Sequence, residues 1–135
     1  MKKLIALSLV AGVAVIAVSL YGRSYQSRIE SYMTSIEKCV EQFENAPKEA
    51  NPYTLSALRS FATEYENNVT RVKNRLPNEI KNKNYGFSTE TIQRLYDSGK
   101  TLEGIGGNYK TLAAKAFEAA KSLNTKLPTD KRVAF

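Results

Sequence analysis

Apolar positions recur along most of the chain with the period of an α-helix, and three stretches carry that period clearly. In the first, Tyr25, Ile29, Tyr32 or Met33, Ile36, Val40 and Phe43 line one side, while Arg28, Glu30, Glu37, Lys38 and Glu41 fall mostly off it. Pro47 sits in the polar run 45–51, which reads as a turn, so this helix is expected over 23–45. Asn51-Pro52 then reads as a helix start. Asparagine accepts from free backbone amides, and proline has no donor to lose at the first helical position. Leu55, Leu58, Phe61 or Ala62, Tyr65, Val69, Val72 and Leu76 form the second stripe, predicting a helix over 52–76 that stops at Pro77. The Asn- and Lys-rich run 77–87 reads as a loop, with Ser88 as the cap of the next helix.

The third stripe is the longest, from Ile92 and Leu95 through Leu102, Ile105, Tyr109, Leu112 and Ala116 to Leu123. Gly99, Gly104, Gly106 and Gly107 interrupt it, and each glycine weakens a helix by about 1 kcal/mol. The chain either bends there or divides into two helices. The apolar period stays in phase across the glycines, which favours one helix over 89–126 bent near 104–107, with Gly104, Gly106 and Gly107 as the hinge. Residues 128–135 are polar up to the last three and read as a flexible tail.

Ahead of these stripes the pattern changes. Leu4 to Gly22 contains no charged residue and is mostly apolar. As a helix it would extend about 28 Å, close to the hydrocarbon thickness of a bilayer. Tyr21 and Tyr25 lie where interfacial aromatics are found. Ser8, Gly12, Val15 and Ser19 share a face and form a candidate seam for packing against another membrane helix. Residues 1–22 are therefore read as an uncleaved membrane anchor. The competing account is a cleaved secretory signal, for which Ala17-Val18-Ser19 supplies small residues. Lys2 and Lys3 favour an inside N-terminus, which makes the chain a single-pass protein of the cytoplasmic membrane with its C-terminal domain periplasmic or extracellular. The fold expected is all-α: an N-terminal transmembrane helix continuing into an antiparallel three-helix bundle over 23–127.

Composition narrows the chemistry. The chain has no His and one Cys, Cys39, which removes the commonest neutral-pH base and excludes an internal disulfide or a cysteine metal cluster. The formal charge is +7, of which Lys2 and Lys3 belong to the apolar segment. What remains is mildly basic and too dilute for a dedicated nucleic-acid binder. Arg71, Lys73, Arg75, Lys81 and Lys83 concentrate that charge into a candidate contact patch, opposed only by Glu79. Tyr85 and Phe87 follow, so stacked single-stranded nucleic acid or anionic headgroups are conceivable ligands, beside the plainer reading of a solvated connector. Gly104, Gly106 and Gly107 do not form a phosphate loop, since no strand precedes them and no Lys-hydroxyl pair follows. Glu37, Glu41 and Glu44 share a helix side and look solvated. No cofactor is expected.

The plan of a short tail, one membrane helix and an extramembrane helical bundle resembles the LemA family. The run 65–87, with Asn68, Val69, Pro77, Gly86 and Phe87, echoes the end of that family's domain. The Arg-, Asp- and Leu-Ile-Pro-rich segment that follows the family's membrane helix is absent here, and no functional residue is carried over.

The function expected from these features is a non-catalytic, membrane-anchored accessory or structural subunit of a membrane-associated assembly. Its partners would be the lipid bilayer and either another protein or a second copy, with nucleic acid disfavoured. Bacterial and phage envelope proteins share such a plan. One alternative is a periplasmic sensor or inhibitor that binds a protein or small ligand with its helices. Another is a secreted helical protein, if the first segment is cleaved.

Overall fold

A computed structural model describes residues 25–46 and 51–135. Four α-helices follow one another: α1 (Tyr25–Glu44), α2 (Pro52–Lys81), α3 (Tyr85–Ile105) and α4 (Tyr109–Thr125), with a short 3-10 turn at Thr129–Lys131. They form two antiparallel hairpins, α1/α2 and α3/α4. The hairpins pack so that α2 lies beside α4 and α1 beside α3. The ion pairs Glu66–Lys115 and Lys73–Glu118 climb both helices in the same order, so α2 and α4 run parallel. The core lies where the four stripes meet, with Ile29, Met33, Ile36, Tyr65, Leu76, Ile92, Leu95, Leu102 and Leu123 fully buried.

Local chemistry sets the helix ends. Asn51 caps α2, its side-chain oxygen accepting from Thr54 N at 2.9 Å, and Pro52 occupies the first turn. α2 then runs straight through Pro77, where a stop is expected from the sequence. Proline forfeits one backbone bond, but Leu76, Glu79 and Ile80 are buried around it and hold the last turn in place. The loop expected over 77–87 shrinks to 82–84, with Lys83 in the left-handed region at φ 64°. α3 consequently starts at Tyr85 rather than after Ser88, whose hydroxyl instead bonds back to Asn84 O at 2.8 Å.

The third stripe is two helices, which corrects the three-helix expectation to a four-helix bundle. Gly106 and Gly107 adopt φ 84° and 58°, and α4 folds back along α3. Left-handed backbone favours glycine because it lacks a Cβ. The in-phase period misled because phase does not encode direction: two helices facing each other across a turn both show an apolar stripe. The return is tight. A Cβ on Gly99 of α3 would lie 2.8 Å from Phe117 Cε1 and 3.2 Å from Ala116 Cβ of α4.

Among the described residues no helix is long and apolar enough to cross a membrane. The transmembrane helix expected over residues 1–22, and its packing seam at Ser8, Gly12, Val15 and Ser19, lie outside the described residues. The continuation of that helix into the bundle likewise falls on residues outside those described; from Tyr25 on, α1 is amphipathic and buries Gln26, Glu30 and Glu37 together with its apolar side against the other helices. With no spanning helix among the described residues, the single-pass inner-membrane placement, the bilayer as partner and the membrane-anchored subunit are set aside. Residues 128–135, expected as a tail, lie against α3 and α4. Val133 exchanges two hydrogen bonds with Asn124, and Phe135 stacks on Tyr96 at 4.1 Å.

Candidate binding surface

The charged chemistry of the interior is committed to joining helices. Glu30 and Glu37 lie two turns apart on one side of α1, and both reach Arg94 of α3. Arg94 donates through Nη1 to Glu30 Oε2 at 2.7 Å, through Nε to Glu37 Oε2 at 3.2 Å, and through Nη2 to Glu37 Oε1. Its side chain is 4 % exposed. Burial alone would lower the Arg94 guanidinium, but its bonds to Glu37 and Glu30 outweigh that and hold it firmly charged. Burial pushes the Glu30 carboxyl up despite its bond to Arg94. Neither acid is solvated as their sequence positions suggest. The sequence carried little signal of this: Arg94 stands two residues after Ile92 and one before Leu95, off the line of their stripe. At the end of the bundle, Glu79 accepts from Gln26 Nε2 at 3.2 Å and from Asn84 Nδ2, tying α1 and α2 to the start of α3.

Tyr65 is fully buried, its hydroxyl 2.8 Å from Ser98 Oγ. Burial pushes its phenol up. Cys39 is buried, and the same effect, with a smaller contribution from Glu64, pushes the thiol up to about 12. A thiol so placed stays protonated at neutral pH and is a poor nucleophile. No group of three or more His, Cys, Asp or Glu among the described residues could hold a metal.

The outer face of α2 is different in kind. Arg71, Arg75 and Lys81 line one open groove of about 620 Å³ together with Asn74, Pro77 and Asn78. The Arg71 and Arg75 guanidiniums lie 5.6 and 5.8 Å from the centre of the Tyr32 ring on α1. None of the three cations forms an ion pair among the described residues. The other two members of the sequence patch are not in the groove: Lys73 turns to Glu118 of α4 at 3.1 Å, and Lys83 occupies the α2–α3 loop. Tyr85 and Phe87, the possible stacking residues, pack instead against the core. Arg71 also borders a second groove, with Ser56, Arg59, Ser60, Thr63, Glu64 and Asn67, so the two are continuous along α2. The chain matches no protein-family profile, no curated protein and no solved structure. The likeness to the LemA family therefore carries no argument, and the reading rests on geometry.

A third groove, between α3 and residues 130–134, is bordered by Glu90, Asp97, Asp130 and Arg132. None of the three reaches Gly104, Gly106 or Gly107, which form the end of α3 and the reversal. The feature most hidden from sequence is where the cover on α2 (Pro52–Lys81) ends. The stripe of α2 does not become fully buried until Tyr65, and ahead of it Leu55 is 45 % exposed while Leu58 and Phe61 are half-buried. Ile105, at the far end of α3, is 39 % exposed.

Proposed function

We propose that the bundle is a non-catalytic binding module that works by docking a protein partner on its helices, in the manner of a sensor or inhibitor protein. The observation that carries this reading is the exposed start of α2. Its core stripe runs from buried Tyr65 through half-buried Phe61 and Leu58 to Leu55, which is 45 % exposed at one end of the bundle. Apolar area in the open costs free energy in water, about 25 cal/mol for each Å², and a partner's surface recovers it. Two further features support the reading. The buried carboxylates are engaged with Arg94 and the thiol is protonated and enclosed, so the interior groups hold helices together instead of meeting a substrate. The grooves are open, two along the surface of α2 and one between α3 and residues 130–134, a shape suited to a protein segment more than to an enclosed small molecule.

The test is a photo-crosslinking amino acid placed at Leu55 in the full-length chain in its native cell, with a second placement at exposed Lys121 on α4. A discrete adduct at Leu55, absent at Lys121 and lost when Leu58→Glu is added to a chain that still melts cooperatively, is the expected result. An adduct of twice the chain's mass would identify a second copy as the partner. No position-specific adduct would sink the proposal.

A further inference from the structure

We infer that the partner contributes an acidic helical segment, which lies along the outer face of α2 with its carboxylates on Arg71, Arg75 and Lys81. This rests on the protein-docking reading above and names the chemistry of the partner.

The outer face of α2 is continuous and unusual in composition. Eighteen residues make five helical turns, so Tyr53 stands on the same face as Arg71, about 27 Å away along the axis. Tyr53 is 88 % exposed. Ser56, Ser60, Thr63 and Asn67 fill the interval, and Asn74 and Asn78 alternate with the cations beyond it. No Leu, Ile, Val or Phe lies on this face, so an apolar partner surface would gain little there. What it offers is hydroxyls, carboxamides and positive charge, with Glu64 the one carboxylate among the described residues lining the two grooves. The Tyr32 ring of α1 lies against two of the cations.

Spacing selects the occupant. Arg71 and Arg75 stand one turn apart, about 6 Å, and Lys81 about 9 Å further on. Carboxylates four residues apart on a second helix repeat at the interval of the two arginines, and guanidinium binds carboxylate through paired hydrogen bonds. Contact of both guanidiniums with Tyr32 fixes the forks before binding, which reduces the ordering cost of the complex. Charge density disfavours nucleic acid. Arg59, Arg71, Arg75 and Lys81, offset by Glu64, are spread over roughly 33 Å, whereas duplex DNA carries a charge about every 1.7 Å. A single strand would want several exposed rings beside the cations; Tyr53 is exposed but about 27 Å from Arg71, Tyr85 and Phe87 are packed on the core, and Tyr32 is covered by the two arginines. An acidic helix with a few carboxylates on one side matches the small number of cations and the pitch of the two arginines.

The experiment measures fluorescence anisotropy of three labelled probes titrated with the full-length chain. One is a synthetic helical 25-residue peptide with Glu at every third or fourth position on one side. The second is its Glu-to-Gln counterpart, and the third a single-stranded DNA 25-mer. The chain is used as wild type, as Arg71→Gln/Arg75→Gln, and as Lys110→Gln/Lys121→Gln, which removes the same charge from α4. The Glu peptide should bind, more weakly as salt rises. The Gln peptide and the Arg71→Gln/Arg75→Gln chain should each lose about tenfold, from two charge-assisted contacts. The α4 variant should change by less than about twofold. Equal binding of both peptides, equal loss in the α4 variant, tighter binding of the oligonucleotide, or no binding of the Glu peptide would each overturn the inference. The Leu55 adduct, measured in the Arg71→Gln/Arg75→Gln chain, separates the two proposals. If it persists there while the peptides do not discriminate, the docking reading stands and the acidic helix falls.

Discussion

Replacing Arg94 by Met tests whether the buried ion triad is what joins the two hairpins. Met occupies similar volume without charge, so the change leaves Glu30 and Glu37 in the core with side chains 12 % and 7 % exposed and no cation between them. Removing one member of a buried pair costs about 3–5 kcal/mol, because the remaining charge is neither solvated nor neutralised. Two carboxylates lose their partner here, which places the expected cost toward the top of that range. A domain of this size is stable by about 5–15 kcal/mol, so a third or more of the total is at stake. The pH dependence gives the loss a signature. Burial already raises the Glu30 carboxyl in the folded wild type. A group raised on folding contributes stability below its unfolded pKa and loses that contribution as pH rises through the folded value. Without Arg94 the raising effects on Glu30 act unopposed, so the variant should be weakest near neutral pH and recover as pH falls toward about 4.5, into the range where free glutamate protonates. Urea denaturation followed by circular dichroism reads both. At about 1.5 kcal/mol per molar urea, the midpoint should drop by roughly 2–3 M near neutral pH. Adding Glu30→Gln and Glu37→Gln to Arg94→Met should restore much of the loss by removing the stranded charges. A midpoint shift under about 0.5 M, or an acid profile parallel to wild type with no rescue by the glutamines, would refute the reasoning.

Other consequences are more local. Tyr65→Phe removes the hydroxyl that meets Ser98 at 2.8 Å and should cost about 1 kcal/mol in the same denaturation assay. Gly99→Leu should destabilise by about 1–3 kcal/mol, read as a lowered melting temperature, because the added carbons enter space already held by Phe117 and Ala116. Cys39 should react with a thiol reagent at the rate of unfolding, its thiol being buried and pushed up to about 12; rapid labelling of the native chain would show the helix pair α1/α2 to be looser than described.

The candidate site was legible only in pieces. Arg71, Arg75 and Lys81 stand out in sequence as a local excess of charge, but so do Lys73 and Lys83. Only helix phase and neighbours separate them: the first three share a furrow, Lys73 faces Glu118, and Lys83 sits in the loop. Continuing α2 through Pro77 is what brings Lys81 into the same groove as the arginines. The exposed apolar start of α2 was unreadable because Leu55 belongs to the same stripe as buried Leu76, and sequence does not say where the cover ends.

What the sequence by itself determined is that this is a helical chain with apolar stripes from Ile29, from Leu55 and from Ile92, because helical period is a local property written every third or fourth residue. It also supplied Asn51-Pro52 as a start, since a cap needs only the next turn. The tertiary structure decided the number of helices, because Gly106 and Gly107 are equally compatible with a bend and a reversal, and packing of α4 on Gly99 selects the reversal. It decided that Pro77 would be tolerated, since burial on both sides of it offsets the missing hydrogen bond. It decided, too, that Glu30 and Glu37 are core residues. Whether a carboxylate is solvated depends on whether a cation from a distant part of the chain arrives to meet it, and Arg94 does.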